Sequence, residues 1–377
     1  MFVNNYPNHH DVKVFYWERI LPQRVTTESF LYGEKHASPV RHALTFSLYL
    51  SLFFFLCIHS PVKSQDTQFS QFYAAPLHLA PSFAGSSGGS RLVLNYRNQW
   101  PQIPGTFVAY SFSFDHYFPR YRSGLGVILF RDQAGSGNLA LTRGGLNYSY
   151  NFRITPNWTV RPGIQFVYEQ RTIDFFRLIF EDQIAPDGSI GPSNSMVNPI
   201  ERISYFDAAS SVIAYSENMW GGIAIANMMM PNQSMTSDEI SRIPIRTSIF
   251  GGYRINYGGA FADQEAESLS FAMHYKNQGK FNQFDIGTYW TKNPVFIGLI
   301  YRGIPVFNNP ANGFLNNDAL IFMGGVRTEN LRIGYSYDFT ISRLVNNTGG
   351  AHEISIIYEF NQQIPRGGRQ RPPLWGM

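Results

Sequence analysis

Acid–base, nucleophilic or metal chemistry would have to begin from four histidines downstream of residue 64, His78, His116, His274 and His352. None stands at metal-ligand spacing from another histidine or a cysteine, and the single cysteine, Cys57, lies upstream of all four. Ester hydrolysis by a Ser–His pair would need His352 to reach a serine such as Ser355. On a strand these two have opposite parity, so their side chains point apart. Gly124-Leu125-Gly126 lacks the strand-to-helix setting of a dinucleotide loop, and no basic run interleaves with aromatics as a nucleic-acid site needs. The residue types point to binding rather than catalysis, with no cofactor, no metal and no nucleic-acid partner.

The polar chemistry that does recur is arginine. Residues 65–377 carry 24 basic and 22 acidic side chains (30 less 6, and 26 less 4), and only Lys276, Lys280 and Lys292 among the basic ones are lysines. Such a balance carries no message about nucleic acid. Arginine dominance favours fixed, forked hydrogen bonding over loose solvation. Arg91, Arg97, Arg143, Arg161, Arg171, Arg246, Arg254 and Arg332 fall on the polar side of an alternating pattern, together with Asp115, Glu169, Asp285, Asp338, Glu353 and Glu359. They can form a rigidifying network of ion pairs, or a surface that grips an inserted segment or filters a solute. The pattern alone does not separate these readings.

The elements that must hold those arginines are strands. Leu331, Ile333, Tyr335, Tyr337 and Phe339 alternate with Arg332, Gly334, Ser336, Asp338 and Thr340. The same period of two runs through 158–171, 245–256 and 353–360. Strands are expected to begin near residues 91, 106, 123, 139, 158, 205, 220, 244, 268, 281, 295, 319, 331 and 352, with poor alternation near 123, 205 and 295. Fourteen strands of about ten residues suit a closed barrel in an outer membrane. Connections should then alternate between long, on the outside, and tight, on the inside, with 258–267 and 277–280 as exceptions.

Composition agrees. Aromatics make up 16% and charged residues 15% of 377 residues, where about 25% charged is usual. The hydrophobic fraction of 44% leaves no room for a bundle of apolar helices of about 20 residues each. A soluble sandwich would need a second sheet over all the outward Tyr, Phe, Ile and Leu. A membrane barrel needs only lipid there, with polar groups filling the lumen.

The one continuous apolar run, residues 43–58, follows Arg41 and precedes Val62-Lys63-Ser64, which reads as a signal peptide cut before Gln65. A membrane anchor is the alternative, and the stretch 1–40 is read as a start-site artefact. The expected organisation is an extension and signal peptide over 1–64, a segment over 65–90 that is periplasmic or in the lumen, the barrel over 91–361, and a basic tail with adjacent prolines over 362–377.

Particular segments go further. The opening Gln65-Asp66-Thr67-Gln68-Phe69-Ser70-Gln71-Phe72 is followed by Ala80-Pro81-Ser82-Phe83-Ala84-Gly85-Ser86 and then Tyr96-Arg97-Asn98-Gln99-Trp100-Pro101. Later come Ile297-Gly298-Leu299-Ile300-Tyr301-Arg302, Ile333-Gly334-Tyr335-Ser336-Tyr337-Asp338 and Ala351-His352-Glu353-Ile354. In this order, over residues 65–362, the chain resembles the PorP/SprF family of Bacteroidota outer-membrane proteins. The resemblance implies a non-enzymatic barrel of type IX secretion or gliding motility. Its partners would be secretion components, a secreted adhesin or enzyme, and outer-membrane lipid. In the early motif, Tyr96 and Trp100 would anchor at the lipid interface, while Arg97 and Gln99 bond across the lumen. Phe175, Phe176 and Phe180, in the long outside connection, would dock a protein partner or pack into the barrel mouth. A rival class is a channel for small hydrophobic solutes, which would want an apolar lumen pocket and a plug formed by 65–90.

Overall fold

The computed structural model describes residues 68–180, 183–184, 189–191, 200–236, 240–257, 267–308, 315–341 and 349–361. The expected signal peptide, Cys57 and the tail 362–377 lie outside the described residues. The strands are β1 (Ser90–Gln99), β2 (Phe107–Phe118), β3 (Ser123–Ala134), β4 (Leu139–Tyr150), β5 (Phe152–Arg153), β6 (Thr159–Thr172), β7 (Arg202–Tyr215) and β8 (Met219–Ala226). They continue as β9 (Arg246–Tyr257), β10 (Glu267–Gln278), β11 (Phe281–Lys292), β12 (Val295–Asn308), β13 (Leu315–Arg327), β14 (Leu331–Thr340) and β15 (Ala351–Phe360).

Neighbours in sequence pair antiparallel, β1 closes on β15, and β4 reaches past the two-residue β5 to pair with β6. The result is a closed antiparallel barrel of fourteen strands, with β5 a short addition. All fourteen expected strands form, and the largest shifts are β7 and β13, which begin at Arg202 and Leu315. Closure matters physically, because it leaves no strand edge with unpaired backbone groups in hydrocarbon.

Alternation decides what each face meets. On β6 the inward Arg161, Gln165 and Glu169 are buried while Ile164, Phe166 and Tyr168 are exposed on the outside. The outward set across the barrel includes Leu129, Ile286, Phe322 and Tyr358, a greasy belt that only lipid can cover. Among the described residues no helix is long and apolar enough to cross a membrane; the strands do so. One rim carries the long connections 173–201, 227–245 and 341–350, and the other carries 119–122, 216–218, 293–294 and 328–330. Short turns face the periplasm in such barrels, so we call the first rim outer and the second inner. The tight outer turn after Gln278 is made by Gly279, at φ +61°.

The lumen departs from the expectation of a polar lining. Val93, Ile128, Ile213, Phe250, Ile300 and Ile321 point inward and are buried in one apolar cluster. The reason is that residues 68–89 fill the space they face, so these side chains meet protein rather than water. On β12, Phe296 and Ile300 point inward while Ile297 and Leu299 are exposed outside. Its register also slips after Arg302. Both features blur the period of two.

The outward assignment makes a direct prediction. Phe322→Arg, near the middle of β13, should lower stability in lipid by about 2–4 kcal/mol, read as a lower urea midpoint. Phe322→Leu should leave the midpoint almost unchanged.

Candidate functional site

Residues 68–89 enter the lumen as a series of short turns, 3-10 turns at Phe72–Ala74 and Pro81–Phe83 flanking a one-turn helix, Pro76–Leu79. Prolines at 76 and 81 start the second and third turns, where a missing N–H costs nothing. The segment spans the barrel from the outer end of the lumen, at Ser70, to the inner rim, where β1 begins. Its two ends are held by two different polar networks.

At the outer end, Glu353 accepts the backbone N–H of Ser70 at 2.7 Å and of Gln71 at 3.0 Å, one on each carboxylate oxygen. Arg97 bridges Glu353 (3.1 Å) and Asp338 (2.9 Å). Arg302 bridges Asp338 (3.1 Å) and Asp285 (3.2 Å). The Ser70 hydroxyl accepts from Arg97 and, at 3.0 Å, from Arg302, and donates to Asp338. Its capacity of one donor and two acceptors is used in full. Gln68 donates to Asp285 at 2.8 Å, and Gln71 Oε1 accepts from Ser355. Two guanidinium groups thus face three carboxylates, and the inserted segment adds donors from the backbone of Ser70 and Gln71 and from the side chains of Ser70 and Gln68. These charges are nearly fully buried, so removing one member leaves the others uncompensated.

At the inner end, Asp115 pairs with Arg91 through two bonds of 2.9 and 3.1 Å and accepts Gly85 N–H at 2.7 Å. Arg91 also donates to Phe83 O at 3.0 Å. Arg161 donates to Ala84 O and Gly85 O, and Ser149 adds a bond to Ala84 O at 2.7 Å. The approach is close enough to dictate sequence: a Cβ on Gly124 would lie 2.0 Å from Ala84 O. Gly124, in a motif that only superficially suggests a nucleotide loop, is where the wall admits the segment. Between the networks, Phe72, Tyr73, Leu77 and Phe83 pack into the apolar cluster, with Tyr73 against Tyr289 and Phe83 against Phe250. A cavity of about 30 Å³ remains beside Phe69, Phe72, Arg246, His274 and Lys276.

The expected site residues are dispersed. Arg97, Asp338 and Glu353 join the outer network, and Gln99 accepts from Arg97 at 3.4 Å. Tyr96, Asn98, Tyr335, Tyr337 and His352 lie on the opposite, outward side near the outer rim, where Tyr335 Oη and His352 Nδ1 are 2.8 Å apart. Ser355 points inward and His352 outward, as their parity requires. Trp100 does not continue the strand as an outward anchor; it leaves the ladder at φ +58° and sets its ring edge against Phe107.

Arg161 holds the inner end of the inserted segment, Arg143 pairs with Glu169 along the wall, and Arg332 pairs with Glu359 at 3.3 Å. Arg171, Arg246 and Arg254 are half-buried lumen residues. Phe175 opens a 3-10 turn capped by Asp174, whose carboxylate accepts Phe176 N–H at 3.2 Å. Leu178 covers Gly137, Phe175 and Phe180 are half-buried, and Phe176 is 83% exposed.

Ser70, Gln71 and Arg302 stand in the family-like segments 65–72 and 297–302, without a residue pattern that marks them as site residues. Arg302 shares its inward parity with the apolar Phe296 and Ile300, which mask the polar face of β12, and Ser70 and Gln71 lie in a segment with no period. The one available signal was excess inward acid, Asp285, Asp338 and Glu353, in strands that supply few cations beside them.

Residues 62–358 match the family described as type IX secretion system membrane protein PorP/SprF. No curated protein matches the chain. Among solved structures it is similar to the outer membrane protein Omp33 of Acinetobacter baumannii, at 9% identity, 73% of this chain, 100% of that chain and a TM-score of 0.39. It is also similar to the Pseudomonas putida toluene transporter TodX (11%, 75%, 92%, 0.41) and to a Pseudomonas aeruginosa FadL homologue (12%, 72%, 90%, 0.38).

Two substitutions test the inserted segment. Glu353→Ala strips Arg97 and two buried N–H groups of their acceptor and should cost about 3–5 kcal/mol. It should also make a Phe72→Cys thiol reactive to a water-soluble maleimide from the outer side. Gly124→Val should displace Ala84 and lower the unfolding midpoint, whereas Gly324→Ala, where a Cβ would meet nothing nearer than 3.8 Å, should perturb it far less. With its fold and its matched residues taken together, the chain belongs to the PorP/SprF family of type IX secretion outer-membrane proteins.

Proposed function

We propose that this barrel works by docking, assisting the export or surface attachment of a secreted adhesin or enzyme at its outer rim, without chemistry of its own. The observation that carries the reading is the division between a packed lumen and an apolar rim. The space through which a solute would pass holds residues 68–89, tied to the wall at both ends. The outer connections instead present Phe176, Ile179, Ile240 and Met229, each more than half exposed. Apolar side chains held out at a rim are a common mark of a protein contact. Membership of a type IX family supports secretion components and a secreted client as the partners.

The rival reading, a channel for small hydrophobic solutes, shares the feature of an inserted N-terminal segment. It wants a lumen pocket of several hundred Å³. The lumen cavity beside Phe72 and His274, at about 30 Å³, has room for water-sized guests only.

The test is recovery of partners. The mature protein, tagged and purified from outer membranes in mild detergent, should bring down type IX components or a large secreted protein. Phe176→Asp combined with Ile179→Asp should cut that recovery about tenfold or more, the scale of losing a buried aromatic anchor, with the barrel still folded. Undiminished recovery would exclude this loop as the docking surface, and a wild-type barrel that emerges with no protein attached would contradict docking itself.

A further inference from the structure

The lipid-facing wall carries one arrangement that the inserted segment and the outer rim do not explain. The register sets Tyr96, Tyr110 and Arg131 side by side across β1, β2 and β3. In the next row toward the middle of the strands stand Leu94, Phe112 and Leu129, and then Gly144 on β4. These residues line an outward groove of about 570 Å³. Gly144 keeps its floor open, since a Cβ there would meet only Leu129, at 3.7 Å.

Arg131 is exposed on this face. Its Nη1 donates to Thr142 Oγ1 at 3.3 Å, and among the described residues no carboxylate forms an ion pair with it. A cation facing lipid costs about 2–4 kcal/mol at mid-membrane and almost nothing at the interface. The tyrosines beside it mark that interface. Its level is therefore that of the headgroups, on the side of the long connections, where an arginine fork matches a phosphate in two bonds. A second and larger outward groove, of about 730 Å³ over Gly221 and Gly251, is lined by no charged residue. Apolar relief on this wall therefore occurs without a cation, and the Arg131 groove combines the two.

We propose that this groove is a specific site for an anionic outer-leaflet lipid, a phosphorylated, multiply acylated glycolipid. The phosphate lies on Arg131 with the Tyr96 and Tyr110 hydroxyls alongside, and one acyl chain runs over Phe112 and Leu129 to Gly144. The charge selects the headgroup, and the missing side chain at Gly144 admits the chain beneath it.

The test uses the mature protein in detergent, titrated with diphosphorylated lipid A and read by native mass spectrometry. The wild type should hold one such lipid in preference to its dephosphorylated form by about tenfold or more, the scale of a charge-assisted pair. Arg131→Gln should abolish that preference. Gly144→Leu, which keeps the cation and fills the groove, should weaken both forms. Arg153→Gln, an exposed cation at the inner rim, should change nothing. Equal binding of the two lipids by the wild type would overturn the proposal without reliance on any variant folding. Equal losses in Arg131→Gln and Arg153→Gln would reduce it to general charge attraction and overturn it as well.

Discussion

The structure depends on a carboxylate that has no fellow strand residue to satisfy it fully. Glu353 faces inward from β15, nearly inaccessible to water, and two of its bonds come from the backbone of Ser70 and Gln71. An isolated buried carboxylate is untenable, and Arg97 is shared with Asp338. The inserted segment therefore completes the wall as much as the wall confines the segment. The same logic holds at the inner rim, where Asp115 accepts Gly85 N–H beside Arg91. Two polar clamps fix the ends, and the apolar cluster between them fills what would otherwise be a channel.

This arrangement divides the molecule's labour. Outside, the alternating strands give lipid a continuous apolar belt, interrupted by Arg131 among the tyrosines. Inside, burial of arginine with carboxylate adds little net stability over a hydrophobic pair, but it makes the loss of any member costly. The geometry of the fill is thereby specified rather than merely favoured. The outer connections lie outside these clamps, and loops on a rigid scaffold are where binding is usually carried.

The strands were legible in the sequence because lipid on one side and a polar network on the other impose a period of two that packing does not erase. Leu331 to Thr340 illustrates it, with Asp338 and Ser336 buried inside and Tyr335 and Phe339 exposed outside. Legibility failed where two environments became alike. Ile300 and Ile321 face inward onto protein while their neighbours face outward onto lipid, so both faces of β12 and β13 read as apolar. Residues 68–89 have no period at all, being built of single turns, and only their prolines and the glycines opposite them hinted at a fitted segment. Trp100 looked like the next outward residue of β1, but the left-handed backbone there ends the strand first.

The central claim, that the lumen is closed by the chain's own residues 68–89 and that the protein acts at its rim, is tested most directly by conductance. The barrel reconstituted in planar bilayers should give no sustained open-pore current, while the Glu353→Ala variant should show openings as the outer clamp loosens. A steady current through the wild-type barrel, unaffected by that substitution, would contradict the account.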